Sequence, residues 1–249
     1  MESYRRIIRL GLEHKIGSCE YMKVAAIVPA AGAGTRLKSR TQKPYINLGG
    51  KPILARTLIT LSRNKDITEI LVSVGKDKLN KARREIVEKY NIKKTTLVIG
   101  GRKRSDSVYN ALKKVSKDVE YILIHDGIRP FITDKFIEDL LKKASRFNAV
   151  VVAVPVKPTL KFVDKNGFIK STPSREYFWE AQTPQIFRRD LIEKAYEIAK
   201  KKKIIATDDS MLVERIGVKP KIVMGSYSNI KITTKEDLEL AEILLKEFL

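Results

Sequence analysis

Short apolar runs alternate with amphipathic segments over residues 23–156 of this 249-residue chain. The segments between the runs carry apolar residues three and four apart, as amphipathic helices do. Five runs are apolar on both faces, which is typical of buried parallel strands: KVAAIV, EILVSVG, TTLVIGG, YILIHD and AVVVAVPV. A repeated strand–helix–strand pattern predicts an α/β fold, a Rossmann-like three-layer structure whose mostly parallel sheet has helices on both faces.

A different pattern begins after Val156. Apolar and polar residues alternate around Asp164-Lys-Asn-Gly167, a strong hairpin turn because Asn and Gly tolerate positive φ. A two-stranded ribbon cannot bury its apolar face alone. We therefore expect a protruding β-hairpin arm at about residues 157–176, packed on the body or on another subunit. Residues 189–249 then return to the body as predicted helices and the strands KIVMGS and NIKIT.

The beginning of the chain differs from the rest. The first 21 residues lack the apolar core of a signal peptide, and Met22 directly precedes the first strand. We predict an N-terminal extension at residues 1–22 and a single domain over 23–249. No apolar run reaches the ~18 residues that a membrane span needs. One cysteine, Cys19, excludes a disulfide framework within the chain, and with two histidines it is too little for a zinc site. A cytoplasmic protein is expected.

The formal net charge of +21 bears on partners rather than on fold. A nucleic-acid-binding protein would gather its basic residues on one face and interleave aromatic side chains for stacking. Here the lysines are spread over most predicted helices, and aromatic residues make up 7% of the chain. We interpret the surplus as solvated helix faces that also attract polyanionic small molecules. Nucleic-acid binding stays a distant alternative.

The first strand runs into a loop that is nearly free of side chains, Pro29-Ala-Ala-Gly-Ala-Gly34. Such residues let backbone N–H groups approach an anion, and strand ends are where α/β sheets place ligands. Leu37 replaces the third glycine of a dinucleotide fingerprint, and no Walker sequence follows. Arg36 and Lys43 then supply fixed cations, which suit a triphosphate attacked at its α-phosphorus. If the attacking group is a phosphate, no general base is needed.

His125 and Asp126 directly follow the predicted strand YILI, and Arg129 comes three residues after Asp126. A carboxylate at a strand end suits Mg²⁺ or a substrate hydroxyl. An arginine suits phosphate through paired N–H donors. The alternative is an Asp–Arg pair that only fixes the loop. We interpret His125 as structural rather than catalytic.

Six sequence blocks occur in a fixed order: PAAGAGTRL…QKPY, GGRKRSDSV, HDGIRPF, SREYFWEAQTPQIF, TDDSMLVE and NIKIT. In this order and spacing the chain resembles the 2-C-methyl-D-erythritol 4-phosphate cytidylyltransferases of the non-mevalonate isoprenoid pathway, over about residues 23–249. The resemblance implies a sheet of the nucleotide-diphospho-sugar transferase type. It also implies transfer of CMP from CTP to a sugar-alcohol phosphate, with Mg²⁺ or another divalent cation as cofactor.

Two related functions stay open at this point. Ribitol 5-phosphate cytidylyltransferases share the nucleotide half and the HD…RPF and TPQ blocks. The arm decides between them, because PVKPTLK and SREYFW resemble the methylerythritol enzymes better. A sugar-nucleotide synthase that uses another base is the further alternative.

The resemblance implies a role for particular residues. Those implied to bind the nucleotide are Ala30, Ala31, Gly32, Ala33, Gly101, Arg104 and Ser107. Those implied to be catalytic are Arg36, Lys43, Arg175 and Lys231. Those implied to bind the sugar phosphate are Asp126, Arg129, Thr159, Thr183 and Thr207. Asp126 is also the candidate metal ligand. The arm is implied to form a homodimer and to carry Thr159 and Arg175 to the neighbouring subunit's active site.

Overall fold

The structure is a computed structural model that describes residues 22–32 and 42–248. Within these residues a mixed sheet of seven strands lies between layers of helices, beside two short ribbons. The strands are β1 (Val24–Pro29), β2 (Asn47–Leu48), β3 (Lys51–Pro52), β4 (Ile67–Val74), β5 (Thr95–Ile99), β6 (Tyr121–Ile124), β7 (Ala149–Pro155), β8 (Phe162–Val163), β9 (Ile169–Ser171), β10 (Trp179–Arg188) and β11 (Lys221–Met224). The α-helices are α1 (Ile53–Arg63), α2 (Leu79–Ala82), α3 (Arg104–Leu112), α4 (Asp134–Phe147), α5 (Arg189–Lys201), α6 (Ser210–Glu214) and α7 (Lys235–Phe248).

The strand order of the large sheet is β11-β7-β10-β6-β1-β4-β5. Strand β1 pairs in parallel with β4 and β6, and β4 pairs in parallel with β5. Strand β10 is antiparallel to both of its neighbours, β6 and β7. The sheet is therefore mostly parallel, as predicted, and the carboxyl-terminal ends of β1, β4, β5 and β6 meet at one edge.

The side chains of β1 point alternately to the two faces of the sheet, which explains the three layers. Val24, Ala26 and Val28 point into a core that α1 and α4 cover. Ala25 and Ile27 point into a second core, on the opposite face, that α3 and α5 cover. Because successive side chains of a strand face opposite sides, a strand that is apolar throughout must be covered on both. The predicted three-layer architecture is confirmed.

The predicted start of α4 is also observed. The Thr133 hydroxyl accepts a hydrogen bond from the Phe136 N–H at 3.2 Å, which satisfies one of the free donors of the first turn. The helix ends at Phe147 and is capped by Asn148, which has a left-handed backbone (φ 60°) and whose N–H donates to the Ala144 carbonyl at 2.7 Å.

Two features of the sheet differ from the sequence prediction. Strand β10 was not predicted, because Pro184 and several polar residues interrupt its apolar pattern. The ladder between β10 and β7 is irregular between Ala181 and Gln185, and this break accommodates a proline that cannot donate a hydrogen bond. The predicted strand NIKIT is wrong: residues 229–233 form a loop, in which the Ile232 N–H donates to the Ile128 carbonyl at 3.0 Å.

The predicted arm is present as a hairpin of β8 and β9. Its turn is closed by the Asp164 N–H, which donates to the Phe168 carbonyl at 2.9 Å, and Gly167 adopts φ 87°. Apolar side chains remain exposed along it, with Phe168 72% and Tyr177 82% exposed. The ribbon thus leaves the body without burying its own apolar face.

Candidate active site

A cavity of about 310 Å³ opens where β1, β5 and β6 end. It lies at the edge where the parallel strands present their carboxyl-terminal ends, the usual ligand position in α/β sheets. The predicted site residues that line it are Ala30, Ala31, Gly32, Lys43, Gly101, Arg104, Ser107, Asp126 and Lys231. Arg102 and Lys103 add two lining cations that the sequence analysis did not select, although they stand in the block GGRKRSDSV.

The remaining predicted residues lie elsewhere. Ala33 and Arg36 lie outside the described residues. Thr159 is exposed at the base of the arm. Arg175, also exposed there, donates from its guanidinium to the Lys157 carbonyl. One chain alone does not bring these two arm residues into the cavity.

Three more predicted residues do not line the cavity. Arg129 contributes to an adjoining polar cleft that it shares with Lys231. Thr183 is buried behind Asp126, where its hydroxyl accepts a hydrogen bond from the Asp126 N–H at 3.0 Å. Thr207 is exposed in a separate cleft beside α6.

The floor of the cavity depends on a close approach of two loops. A Cβ atom at Gly100 would lie 2.4 Å from the Cβ of Ala31 and 2.9 Å from the Ser107 hydroxyl oxygen. Only glycine fits there. The Ser107 hydroxyl accepts from the Gly101 N–H at 3.0 Å and donates to the Lys103 carbonyl at 3.2 Å. Ser107 therefore holds the loop before α3 in place rather than capping the helix.

A buried carboxylate, Asp126, stands at the centre of the charged groups. Its Oδ1 accepts from Arg104 Nε at 3.0 Å, and its Oδ2 lies 2.9 Å from Lys231 Nζ. Arg129 Nε lies 3.5 Å from the same Oδ2, which is an ion pair without hydrogen-bond geometry. Three cations thus converge on one carboxylate from the turn after β6, from α3 and from the loop at residues 229–233.

This cluster fixes the charge states of its members. Burial alone would raise the pKa of Asp126, but the charges of Arg104, Lys231 and Arg129 outweigh it and lower the pKa below its ordinary value. Burial likewise opposes the charge of Arg104, but Asp209 and Asp126 raise its pKa. Asp126 is therefore ionised and Arg104 protonated throughout the physiological range.

Two buried residues outside the cavity support Arg104. Asp209 Oδ2 accepts from Arg104 Nη1 at 2.8 Å, and Asp209 Oδ1 accepts from the Tyr196 hydroxyl at 2.5 Å. Asp209 is 1% exposed. The sequence analysis selected only Thr207 from the TDDS block and missed Asp209, which stands in the same block.

The side chains around the cavity show whether a divalent cation could be bound there. The described residues contain no group of three or more His, Cys, Asp or Glu side chains that could hold a metal ion. Mg²⁺ is usually held by one or two carboxylates together with substrate phosphates. The buried, ionised Asp126 at the cavity fits such a shared site, in which the phosphates of a bound ligand would supply the other oxygen atoms.

A pocket lined by backbone amides, fixed cations and one carboxylate can hold a polyphosphate and stabilise charge that moves within it. The family model IspD, 2-C-methyl-D-erythritol 4-phosphate cytidylyltransferase, matches residues 24–247. The chain belongs to this family. The predicted resemblance and the cytidylyltransferase class are thereby confirmed, and the ribitol phosphate alternative is not favoured.

Individual relatives agree with the family model. The chain is 46% identical over 221 residues to the 2-C-methyl-D-erythritol 4-phosphate cytidylyltransferase of Clostridioides difficile strain 630, covering 89% of this chain and 93% of the relative. It superposes on the crystal structure of 4-diphosphocytidyl-2C-methyl-D-erythritol synthase from Anaerococcus prevotii DSM 20548 with a TM-score of 0.81 and 37% identity, over 91% and 97% of the two chains.

A second solved structure is that of 2-C-methyl-D-erythritol 4-phosphate cytidylyltransferase from Thermus thermophilus. Its TM-score is 0.75 at 30% identity, over 90% of this chain and 100% of that one. Among the described residues of the present chain, no helix has the length and apolar character to cross a membrane.

Proposed function

We propose that this protein transfers CMP from CTP to 2-C-methyl-D-erythritol 4-phosphate, in the biosynthesis of isoprenoid precursors. A phosphate oxygen of the sugar phosphate attacks the α-phosphorus of CTP. The bond between the α-phosphorus and the bridging oxygen breaks, pyrophosphate leaves, and 4-diphosphocytidyl-2-C-methyl-D-erythritol forms. The attacking phosphate is already ionised near neutral pH, so the reaction needs no general base.

The convergence of Arg104, Arg129 and Lys231 on Asp126 carries this proposal. Two anionic substrates must meet at one phosphorus, and their mutual repulsion has to be offset by fixed positive charge. Arg104 lines the cavity together with residues 30–32. Lys231 lines both the cavity and the adjoining polar cleft. We assign the cavity to CTP and the cleft around Arg129 and Lys231 to the sugar phosphate.

Each part of the site has a task in this scheme. The backbone amides at residues 30–32 and the buried Lys43 hold the triphosphate. The loop that Ser107 fixes borders the position of the base. Asp126 holds Arg104 and Lys231 at a set separation, so that little reorganisation is needed when the α-phosphorus is attacked.

We also propose Mg²⁺ as the cofactor, with Asp126 and the CTP phosphates as its ligands. When bound, the ion would neutralise phosphate charge. Dialysis against EDTA should abolish turnover, and added Mg²⁺ should restore it. Full activity in EDTA would refute this part of the proposal.

Pyrophosphate release tests the reaction. Release should require CTP, Mg²⁺ and 2-C-methyl-D-erythritol 4-phosphate together, and omission of any one should stop it. An equal or faster rate with ribitol 5-phosphate would favour the other substrate. Tight binding of duplex DNA with a steep salt dependence, and no turnover, would instead favour the nucleic-acid alternative.

We further propose that the protein is a cytoplasmic homodimer joined through the arm. The exposed Phe168, Tyr177 and other apolar arm residues support a partner surface. In such a dimer Arg175 would act in the neighbouring subunit's site. Mixing inactive Arg175→Ala subunits with inactive Lys43→Ala subunits should then recover activity, because each mixed dimer keeps one intact site. No recovery in mixed dimers that light scattering confirms would contradict a shared site.

A further inference from the structure

Two buried residues behind the cavity, His125 and Thr183, are linked in one hydrogen-bond chain. We propose that His125 and Thr183 are positioning residues that lock the turn at residues 125–129 and so fix the orientations of Asp126 and Arg129. This inference rests on the proposed function, because it gives both residues a part in that reaction without substrate contact.

The chain of hydrogen bonds closes on the turn at both ends. Thr183 Oγ1 accepts from the Asp126 N–H at 3.0 Å and lies 3.0 Å from His125 Nδ1. On the other side of the ring, His125 Nε2 lies 2.9 Å from the Arg129 carbonyl oxygen. One imidazole thus spans the turn that carries both charged side chains.

The direction of each hydrogen bond follows from its partners. A carbonyl oxygen only accepts, so the proton of His125 sits on Nε2. His125 is completely buried, which favours the neutral ring, so Nδ1 is an acceptor. The Thr183 hydroxyl must therefore donate to Nδ1 while it accepts from Asp126. Every polar atom of the His125 ring and of the Thr183 hydroxyl is engaged.

A second connection ties the same pair to the sugar-phosphate cleft. Asn229 Nδ2 donates to the Thr183 carbonyl at 2.8 Å, and Arg129 Nη1 donates to the Asn229 carbonyl at 2.6 Å. Lys231 follows Asn229 by two residues. The backbone of Thr183 thus anchors the loop that presents Lys231, and its hydroxyl anchors the turn that presents Asp126.

This geometry gives Thr183 a different role from the one that the family resemblance implies. Its side-chain oxygen already makes two hydrogen bonds, and the residue is 5% exposed. A phosphate oxygen only accepts hydrogen bonds, so it could bind this hydroxyl only by displacing His125 Nδ1 as the acceptor of its proton. The positioning role accounts for both hydrogen bonds of the Thr183 hydroxyl, whereas direct binding of a phosphate does not.

The tautomer of His125 can be observed directly. The chain has two histidines, so a His14→Gln variant leaves the ring signals of His125 alone in a long-range ¹H–¹⁵N NMR spectrum. The expected pattern is the Nε2–H tautomer, with Nδ1 unprotonated. The Nδ1–H tautomer would overturn the proposal, because the ring could not then bridge Thr183 and the Arg129 carbonyl.

Substitutions at Thr183 test the effect on catalysis. Thr183→Val keeps the shape but removes the hydroxyl, and kcat/KM for the sugar phosphate should fall on the order of 10- to 100-fold as Asp126 and Arg129 shift. The His125 spectrum should change with it. Thr183→Ser restores the hydroxyl and should restore both activity and spectrum. The matched control is Thr60→Val, which removes a hydroxyl that bonds the Arg56 carbonyl within α1 and should change neither.

Each result decides the question. If wild-type protein releases pyrophosphate and Thr183→Val does so equally well, the positioning role is refuted and the proposed function stands. If the wild type has no turnover, the proposed function fails and this proposal with it. If Thr183→Val does not fold, the His125 tautomer of the wild type and the activity of Thr183→Ser decide instead. An Nε2–H tautomer together with an active Thr183→Ser variant supports the proposal. An Nδ1–H tautomer or an inactive Thr183→Ser variant refutes it.

Discussion

Replacing Asp209 by asparagine removes one charge from the network around Arg104 while keeping the shape of the side chain. Asp209 is 1% exposed and makes contacts of 2.8 Å to Arg104 and 2.5 Å to Tyr196. Removing one partner of a buried ion pair typically costs about 3–5 kcal/mol. The Arg104 side chain is 30% exposed and keeps its 3.0 Å contact with Asp126, so we expect the lower end, about 3 kcal/mol.

Thermal unfolding followed by circular dichroism measures this loss. For a domain of this size 1 kcal/mol shifts the midpoint by about 2–4 °C, so the midpoint of Asp209→Asn should fall by roughly 6–12 °C. The KM for CTP should also rise, because Arg104 is less well fixed at the cavity. The matched control is Asp118→Asn, which breaks an ion pair of equal length, 2.8 Å to Lys23, at the exposed surface. The midpoint of this control should not change. If both variants unfold at the same temperature, the buried Asp209–Arg104 pair contributes no more to stability than the exposed Asp118–Lys23 pair.

Three further predictions follow from the site. Lys43→Ala should lower kcat on the order of 10²- to 10³-fold with the fold retained, if Lys43 stabilises transition-state charge as proposed. Steady-state pyrophosphate release would show this loss, and a change in thermal midpoint alone would contradict it. Gly100→Ala should raise the KM for CTP and lower the free energy of unfolding by about 1–3 kcal/mol, because its Cβ would lie 2.4 Å from that of Ala31. Calorimetric titration with CTP would test the first effect, and urea unfolding the second. The pKa of Asp126 is lower in the folded protein than its unfolded value of about 3.9, so its stabilisation is present above that pH and is lost as the pH falls below it. Urea unfolding between neutral and acidic pH should therefore show a steeper loss for wild type than for Asp126→Asn.

The layered fold could be predicted from the sequence because the apolar pattern is local. Strand β1 is apolar at every position, and only coverage on both faces satisfies such a strand. The central strand β10 could not be predicted in this way. Its polar side chains are satisfied by distant partners, such as Gln185, whose Nε2 donates to Asp208 at 2.8 Å and whose Oε1 accepts from the Ser210 N–H at 3.0 Å.

The site was predictable where a glycine-rich loop or a strand end gave its position. Gly32, Gly101 and Asp126 all line the cavity, as the order of the blocks suggested. The supporting residues were not predictable, because their importance depends on tertiary contacts. Nothing near Asp209 in the sequence shows that it meets Arg104, which comes from a distant part of the chain.

The position at which the arm joins the sheet makes the arm independent of the strand register. Pro155 and Trp179 are paired neighbours in the sheet, so the arm leaves and re-enters the body at adjacent positions. The entropy of closing a loop rises only slowly with its length. Insertions, deletions or a wholly exchanged ribbon at this point would leave the strand register undisturbed. A change in the arm therefore leaves in place the strands β1, β5 and β6, whose ends carry the cavity.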